Sequence, residues 1–437
     1  MQQIEKNPTI TSKKSSSNSQ NYLIPLVAIC ALFFIFGFVT WANGTLIPFF
    51  KLSFSLSDFQ AFLVTFSSYM AYFFLALPAS VILKKTGFKN GIVVGLIVLA
   101  LGSLVFIPAA HNRSFPLFLT GIFIQGAALA LLQTASNPYL TIIGPHESAA
   151  KRISMAGICN KFAGMIVPFI MGTLFLSNAS EIEKKIEAAT GDQKNALLTD
   201  VLARVNTPYI VLAVVFILFA LVIYKMHLPE VASDSDSEKQ SSSQNDRSSV
   251  FQYPYLFLGA FCIFVYVAAE VMAGDIIGVY GKALGFSPEI ARYFTTLTLT
   301  GMLIGYITGI FAIPKYISQQ KALRICAILG VAFSIGAYVS SGTLAVVFIA
   351  LLGLANSLMW PAIFPLGIHG LGKYTKIGSA IMIMGIAGGA IWPLIYAFLK
   401  DNLHLNFQLA YFLAVVPCYL YILYFAIKGH KVGLRIK

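Results

Sequence analysis

The stretch PEVASDSDSEKQSSSQNDRSS, residues 229–249, is charged, rich in serine and without hydrophobic periodicity. Such a composition buries too little apolar surface to offset the entropy of ordering it, so it reads as a flexible linker. Its surroundings are the opposite. Six apolar blocks precede it, at about 22–48, 59–83, 91–110, 115–141, 153–177 and 207–226, and six follow, at about 254–281, 290–313, 322–340, 343–369, 377–399 and 407–428. Each approaches or exceeds the roughly 20 residues that carry a helix across a hydrocarbon layer of about 30 Å. The blocks are continuous and do not alternate every second residue, which favours helices over a barrel. The expected fold is an all-α membrane protein, with twelve transmembrane helices in two six-helix bundles.

The expected organisation is a disordered cytoplasmic segment 1–21, a bundle 22–228, a cytoplasmic linker 229–250, a second bundle 251–428 and a tail 429–437. Of the 437 residues, 57% are hydrophobic and 11% charged. Soluble domains carry about a quarter charged residues, so an ordinary soluble domain is excluded.

The net charge of +13 reflects topology rather than nucleic-acid binding. Of the 30 Lys and Arg, 20 fall on the side of the N-terminus and 9 on the other, with Lys161 inside a block. Basic loops stay in the cytoplasm, which places both termini there, in the inner (plasma) membrane. The first 20 residues are polar, with no cleavable signal peptide expected. The long hydrophilic loop at about 178–206 then lies outside, and its segment EIEKKIEAA suits a surface helix. The cysteines, Cys30, Cys159, Cys262, Cys326 and Cys418, stand singly in apolar blocks and read as packing residues.

The halves echo each other weakly. QTASNPYLTIIGP ends the fourth block and NSLMWPAIFPLGIHGLG the tenth, each with a carboxamide (Gln133, Asn356) followed by a proline (Pro138, Pro361). Two six-helix repeats around a midplane site are a common transporter architecture.

Polar groups in hydrocarbon are unfavourable and therefore informative. Of the 17 acids only Glu270 and Asp275 fall in a block, and of the 30 bases only Lys161 lies away from a block's ends. One reading is a Lys161–carboxylate pair that fixes helix five against helix seven. The other is a cation, proton or substrate site, because two acids against one base leave a surplus negative charge. The acids are five residues apart, about 140° round an ideal helix, so they need not share a face. Gly274, Gly278 and Gly281 allow a break that could bring them together.

The uncharged polar residues Asn43, Gln125, Gln133, Ser136, Asn137, Asn160 and Asn356 are spread over several helices. Carboxamides suit polyhydroxyl ligands as both donors and acceptors, and they equally join helices. As a set they point to a shared cavity, with Asn43, Gln133, Asn160 and Asn356 expected on its wall. Trp360, of the three tryptophans, is the foremost candidate to stack on a sugar ring. No Walker A, HExxH, GxSxG or CxxC motif occurs, and the six histidines form no metal cluster. An ATP-driven engine, an enzyme and a metal site are not expected.

The chain resembles the major facilitator superfamily, in its fucose–proton and glucose/galactose symporter branch. The matching pieces are NGTLIP (43–48), FQAFLVTFSSYMAYF (59–73), LQTASNPYLTIIGP (132–145), NKFAG (160–164), WPAIFPLGIHGLG (360–372) and TKIGSAIMIMGIAGGAIWP (375–393). The superfamily's usual pattern after helix two is degraded to SVILKKTGFKNG. Fucose symporters carry an aspartate after the helix-one asparagine and a glutamate in the helix-four motif. Here these are Gly44 and Gln133. Gln133 is similar to glucose/galactose members, while FFIFGFVTWANG with Lys161 and Glu270 also resembles N-acetylglucosamine permeases.

The resemblance implies import of a monosaccharide by alternating access. Glucose or galactose leads, with N-acetylglucosamine next. Asn43, Gln133, Asn137, Asn160, Lys161, Glu270, Asn356 and Trp360 are the expected sugar-binding residues. Glu270, Asp275 and Lys161 are the expected coupling residues. No cofactor is expected beyond H+ or Na+ as coupling ion, and the partners are the sugar and the bilayer, with a monomeric protein. An uncoupled uniporter, an amphiphile exporter and a non-transporting sugar sensor are the alternatives.

Overall fold

A computed structural model describes residues 23–56, 58–142, 148–176, 179–226, 248–291 and 293–434. The expected N-terminal segment, most of the linker and the end of the tail lie outside the described residues. Every regular element among the described residues is helical. An apolar crossing must satisfy its backbone internally, and the helix does so within one segment.

Among the described residues, eleven stretches are long and apolar enough to cross a membrane, and one of them, Gln60–His111, has 52 residues. At about 1.5 Å per residue that exceeds a single pass more than twofold. The chain turns back at Gly87, whose φ of 76° and ψ of 172° suit a residue without a Cβ. Twelve crossings result. We denote them α1 (Leu23–Phe54), α2 (58–86), α3 (88–111), α4 (Phe115–Ile142), α5 (Ala149–Leu176), α6 (Asn206–Lys225), α7 (Pro254–Gly274, continued by Ile277–Ala283), α8 (Phe294–Ala312), α9 (Gln319–Val339), α10 (Gly342–Asn356 and Met359–Ile368), α11 (Thr375–Met384 and Gly388–Asp401) and α12 (Phe407–Ile427).

Helix packing repeats between the halves. In the first, α1 packs on α5 and α2 on α4. In the second, α7 packs on α11 and α8 on α10. Each of these four pairs is drawn together at a glycine. A Cβ on Gly37 would strike the Asn160 carbonyl, on Gly126 that of Ser68, on Gly388 that of Phe264, and on Gly353 that of Thr298. Small residues allow this close approach, on which helix association in lipid relies. The halves meet where α2 packs on α11 and α5 on α8. Three helices of the second half are interrupted: α7 at Asp275 and Ile276, α10 at Ser357 and Leu358, and α11 in a 3-10 turn at Gly385–Ala387.

The side chains facing outward around the bundle include Phe73, Phe74, Leu101, Leu218, Leu221, Ile304, Ile328 and Leu420, an apolar belt suited to lipid. The 178–206 loop holds two short helices, Ala179–Ala188 and Gly191–Ala203. Ile186, Leu198 and Leu202 turn inward from it. Glu181 faces out, and its hydrogen bond and attraction to Lys185 hold its carboxyl below the usual range.

Candidate functional site

A cavity of about 100 Å³ lies between the halves, walled by α1, α2, α4 and α5 on one side and α7, α8, α10 and α11 on the other. At roughly 10–15 Å³ per water it has room for several waters or one small polar molecule. Phe33, Thr40, Trp41, Tyr69, Tyr72, Gln133, Asn160 and Lys161 face it from the first half. Tyr266, Val267, Glu270, Tyr306, Trp360 and Ile386 face it from the second. The wall is aromatic with a few convergent polar groups, the usual make-up of a small-molecule site.

Its only charged members, Lys161 and Glu270, form an ion pair from α5 to α7, with the ammonium donating to Oε1. Their side chains are 8% and 12% exposed, so each charge depends on the other. The pair resolves which of the two acids Lys161 meets. The Lys161 ammonium also lies 5.1 Å from the centroid of the Trp41 ring, close enough for attraction to the π face. The Trp41 indole packs in a slot between Gly164 of α5 and Gly274 of α7, where a Cβ would come within 2.5 and 2.7 Å of it.

Gln133 donates from Nε2 to the Tyr72 hydroxyl at 3.0 Å, so both reach the cavity already oriented. Asn137 Nδ2 donates to the Gln133 carbonyl at 3.0 Å, and its Oδ1 accepts from Trp360 Nε1 at 3.2 Å. That last bond joins the halves and sets the plane of the indole, which also stacks on Phe364 at 5.8 Å. Asn160 Nδ2 donates to the Phe33 carbonyl at 3.3 Å, and the residue lines the cavity.

The expectation that four carboxamides share the wall is corrected. Gln133 and Asn160 lie on it; Asn43 and Asn356 do not. Asn43 points into the first half, 3.5 Å from the Ser68 hydroxyl, with Oδ1 buried and unpartnered. Asn356 is fully buried, accepting from the Tyr419 hydroxyl at 2.9 Å and donating to the Ala269 carbonyl at 3.4 Å. Asn137 is off the wall and reaches the site through its bonds to Gln133 and Trp360. Asp275 also lies off the wall. Asp275 stands at the helix interruption and packs against Gly44 of α1, while Glu270 faces the cavity.

Tyr69, Tyr72, Tyr266 and Tyr306 line the cavity without having been singled out from sequence. Tyrosines within apolar blocks look like packing residues, and only the ion pair between helices locates them around a site. Cys30 of α1 and Cys159 of α5 are neighbours across the two helices, and all five cysteines are free thiols. Trp392 lies off the cavity and donates to the Ala414 carbonyl at 2.7 Å.

The family model described as Major Facilitator Superfamily matches residues 29–393. A glucose/galactose transporter of Brucella abortus is 35% identical over 95% of this chain and 96% of its own. An L-fucose-proton symporter of Escherichia coli is 31% identical over 89% of each chain. Among solved structures, the superfamily transporter FucP in the outward conformation superposes with a TM-score of 0.76 at 30% identity, covering 93% of this chain and 98% of that one. A D-xylose-proton symporter shares the fold, with a TM-score of 0.63 at 16% identity over 93% and 99% of the two chains.

Proposed function

Because the chain belongs to the Major Facilitator Superfamily, we propose that it is a secondary transporter that imports a neutral, glucose- or galactose-like hexose together with H+ or Na+. The observation that carries this reading is the cavity between the halves: aromatic, rich in hydroxyl and carboxamide groups, and with its two charges already paired. A ligand there meets donors and acceptors but no uncompensated charge. That favours a neutral polyol over an amino sugar or a sugar acid. The relatives named for glucose, galactose and fucose support the same class.

In this reading each six-helix half moves as a unit and the sugar is held between them. Gln133, Tyr72, Asn160 and the Lys161–Glu270 pair meet its hydroxyls, and Trp360 offers an aromatic face. Asn137 orients Trp360. Asn43 and Asn356 hold helices together. The excess of basic residues at the end bearing the termini supports a cytoplasmic location for that end. Direct binding to the purified protein tests the reading. Titration with D-glucose, D-galactose, L-fucose and N-acetylglucosamine should show saturable binding of a neutral hexose. Binding of none of these, in protein that is folded and monodisperse, contradicts it.

A further inference from the structure

The second acid of α7 is a half-buried titratable group that the sugar cavity does not use. Asp275 sits where α7 is interrupted, between Gly274 and the helix resuming at Ile277. It packs against α1 of the other half, in the space left by the missing side chain of Gly44. A Cβ there would lie 3.1 Å from Asp275 Oδ1 and 3.5 Å from its Cγ. The contact therefore belongs to a seam between the halves, on the side away from the termini. Trp41 and Gly274 close the same seam one turn deeper.

Among the described residues no base forms an ion pair with Asp275. Lys161 of α5 is engaged by Glu270. The groups that face it electrostatically are Glu270 on its own helix, Lys161, and the Tyr69 phenol from α2. From α8, Thr295 is spent on the Gly274 carbonyl at 2.7 Å. The α1 neighbours, Gly44 and Trp41, carry no charge.

We propose that the coupling ion acts on Asp275 at this seam between α1 and α7, outside the sugar cavity, while Lys161 keeps Glu270 out of the coupling step. The proposal rests on the sugar-transport reading and assigns its ion site. A bare carboxylate closed against a helix backbone, with neither water nor a cation, is strongly disfavoured. With a proton or sodium ion bound, the closed seam loses that penalty. With the seam open, water solvates the anion. The ion thus binds the closed form better than the open one, and only such a difference in affinity shifts a conformational equilibrium. Loss of the ion to the cytoplasm destabilises the closed seam and returns the carrier to the outward-facing form. Glu270 lacks this property, since its charge is balanced by Lys161.

The test uses the full chain in proteoliposomes, with sugar exchange and gradient-driven accumulation measured separately under an imposed proton or sodium gradient. Asp275→Asn should continue to exchange labelled for unlabelled hexose but accumulate it no further than equilibrium. Glu270→Gln, which strands Lys161 at the sugar site, should lose exchange and accumulation together. Accumulation by Asp275→Asn, or loss of its exchange in folded protein, overturns the proposal. If that variant does not fold, the swap Gly44→Asp with Asp275→Gly carries the test, because it returns a carboxylate to the same space from α1. Accumulation in the swap supports the seam site; accumulation lost with exchange intact overturns it. Absence of exchange in the unaltered protein overturns the sugar-transport reading and the ion site with it.

Discussion

Lys161 on α5 and Glu270 on α7 hold an ion pair across the boundary between the two six-helix halves, at the edge of the central cavity. Each is nearly closed off from solvent, so neither charge is tolerable alone. The pair therefore ties packing to function: it neutralises the cavity wall and links the helices that must separate if the halves rock apart.

Removing one partner should be worse than removing both. Lys161→Met leaves Glu270 as a buried, unpaired carboxylate, and breaking such a pair typically destabilises by about 3–5 kcal/mol. Lys161→Met with Glu270→Met removes both charges and should recover most of that loss. Thermal unfolding in detergent checks this; a double variant less stable than the single one would show that the stranded carboxylate is not what destabilises the single variant.

Gln133→Ala should weaken sugar binding while leaving the fold intact. It removes the partner of the Tyr72 hydroxyl and a donor on the wall. A hydrogen-bonding group left unmatched costs about 1–3 kcal/mol, or roughly 5- to 150-fold in Kd. Calorimetric titration of the folded variant measures it. Unchanged affinity would assign Gln133 to packing between α2 and α4.

The Trp360–Asn137 bond should appear as coupling between the halves. Trp360→Phe keeps a ring but loses the Nε1 donor, and Asn137→Ala loses the acceptor. Each should lower sugar affinity, and the double variant should lose less than the sum of the two, with a coupling of about 0.5–1.5 kcal/mol. Additive effects in the cycle would mean that the bond does not form in the sugar-bound state.

Gly37→Ala and Gly388→Ala should both destabilise, because each added methyl meets the carbonyl of a neighbouring helix rather than a flexible side chain. Overpacking of this kind costs about 1–3 kcal/mol or more. Gly285→Ala, where nothing lies within 4 Å of an added Cβ but φ is +91°, separates backbone strain from crowding. Unfolding midpoints compare the three; full stability of Gly37→Ala would contradict the close α1–α5 approach.

The twelve crossings were legible because hydrocarbon thickness fixes their length and the blocks are nearly unbroken. Lys161 stood out for a related reason: one base in a membrane span needs a partner, and only two acids shared its environment. The choice of Glu270 over Asp275 was not legible. It depends on where α7 is interrupted, and glycines at 274, 278 and 281 permit a break without locating it. Asn43 and Asn356 resemble Gln133 in type and depth, yet one faces Ser68 and the other Tyr419. Rotation about a helix axis decides between cavity and core, and a uniformly apolar helix carries little amphipathic signal to report it. The cavity tyrosines were hidden for the same reason.

Coupled sugar uptake is measured most directly with purified protein in sealed proteoliposomes, using radiolabelled glucose or galactose and imposing proton and sodium gradients one at a time. Sugar:cation symport requires that one gradient drive the internal sugar above its external concentration and that dissipating the gradient collapse the excess. Equilibration without accumulation under either gradient would contradict coupling and leave a uniporter; no entry of any neutral hexose would contradict sugar transport itself.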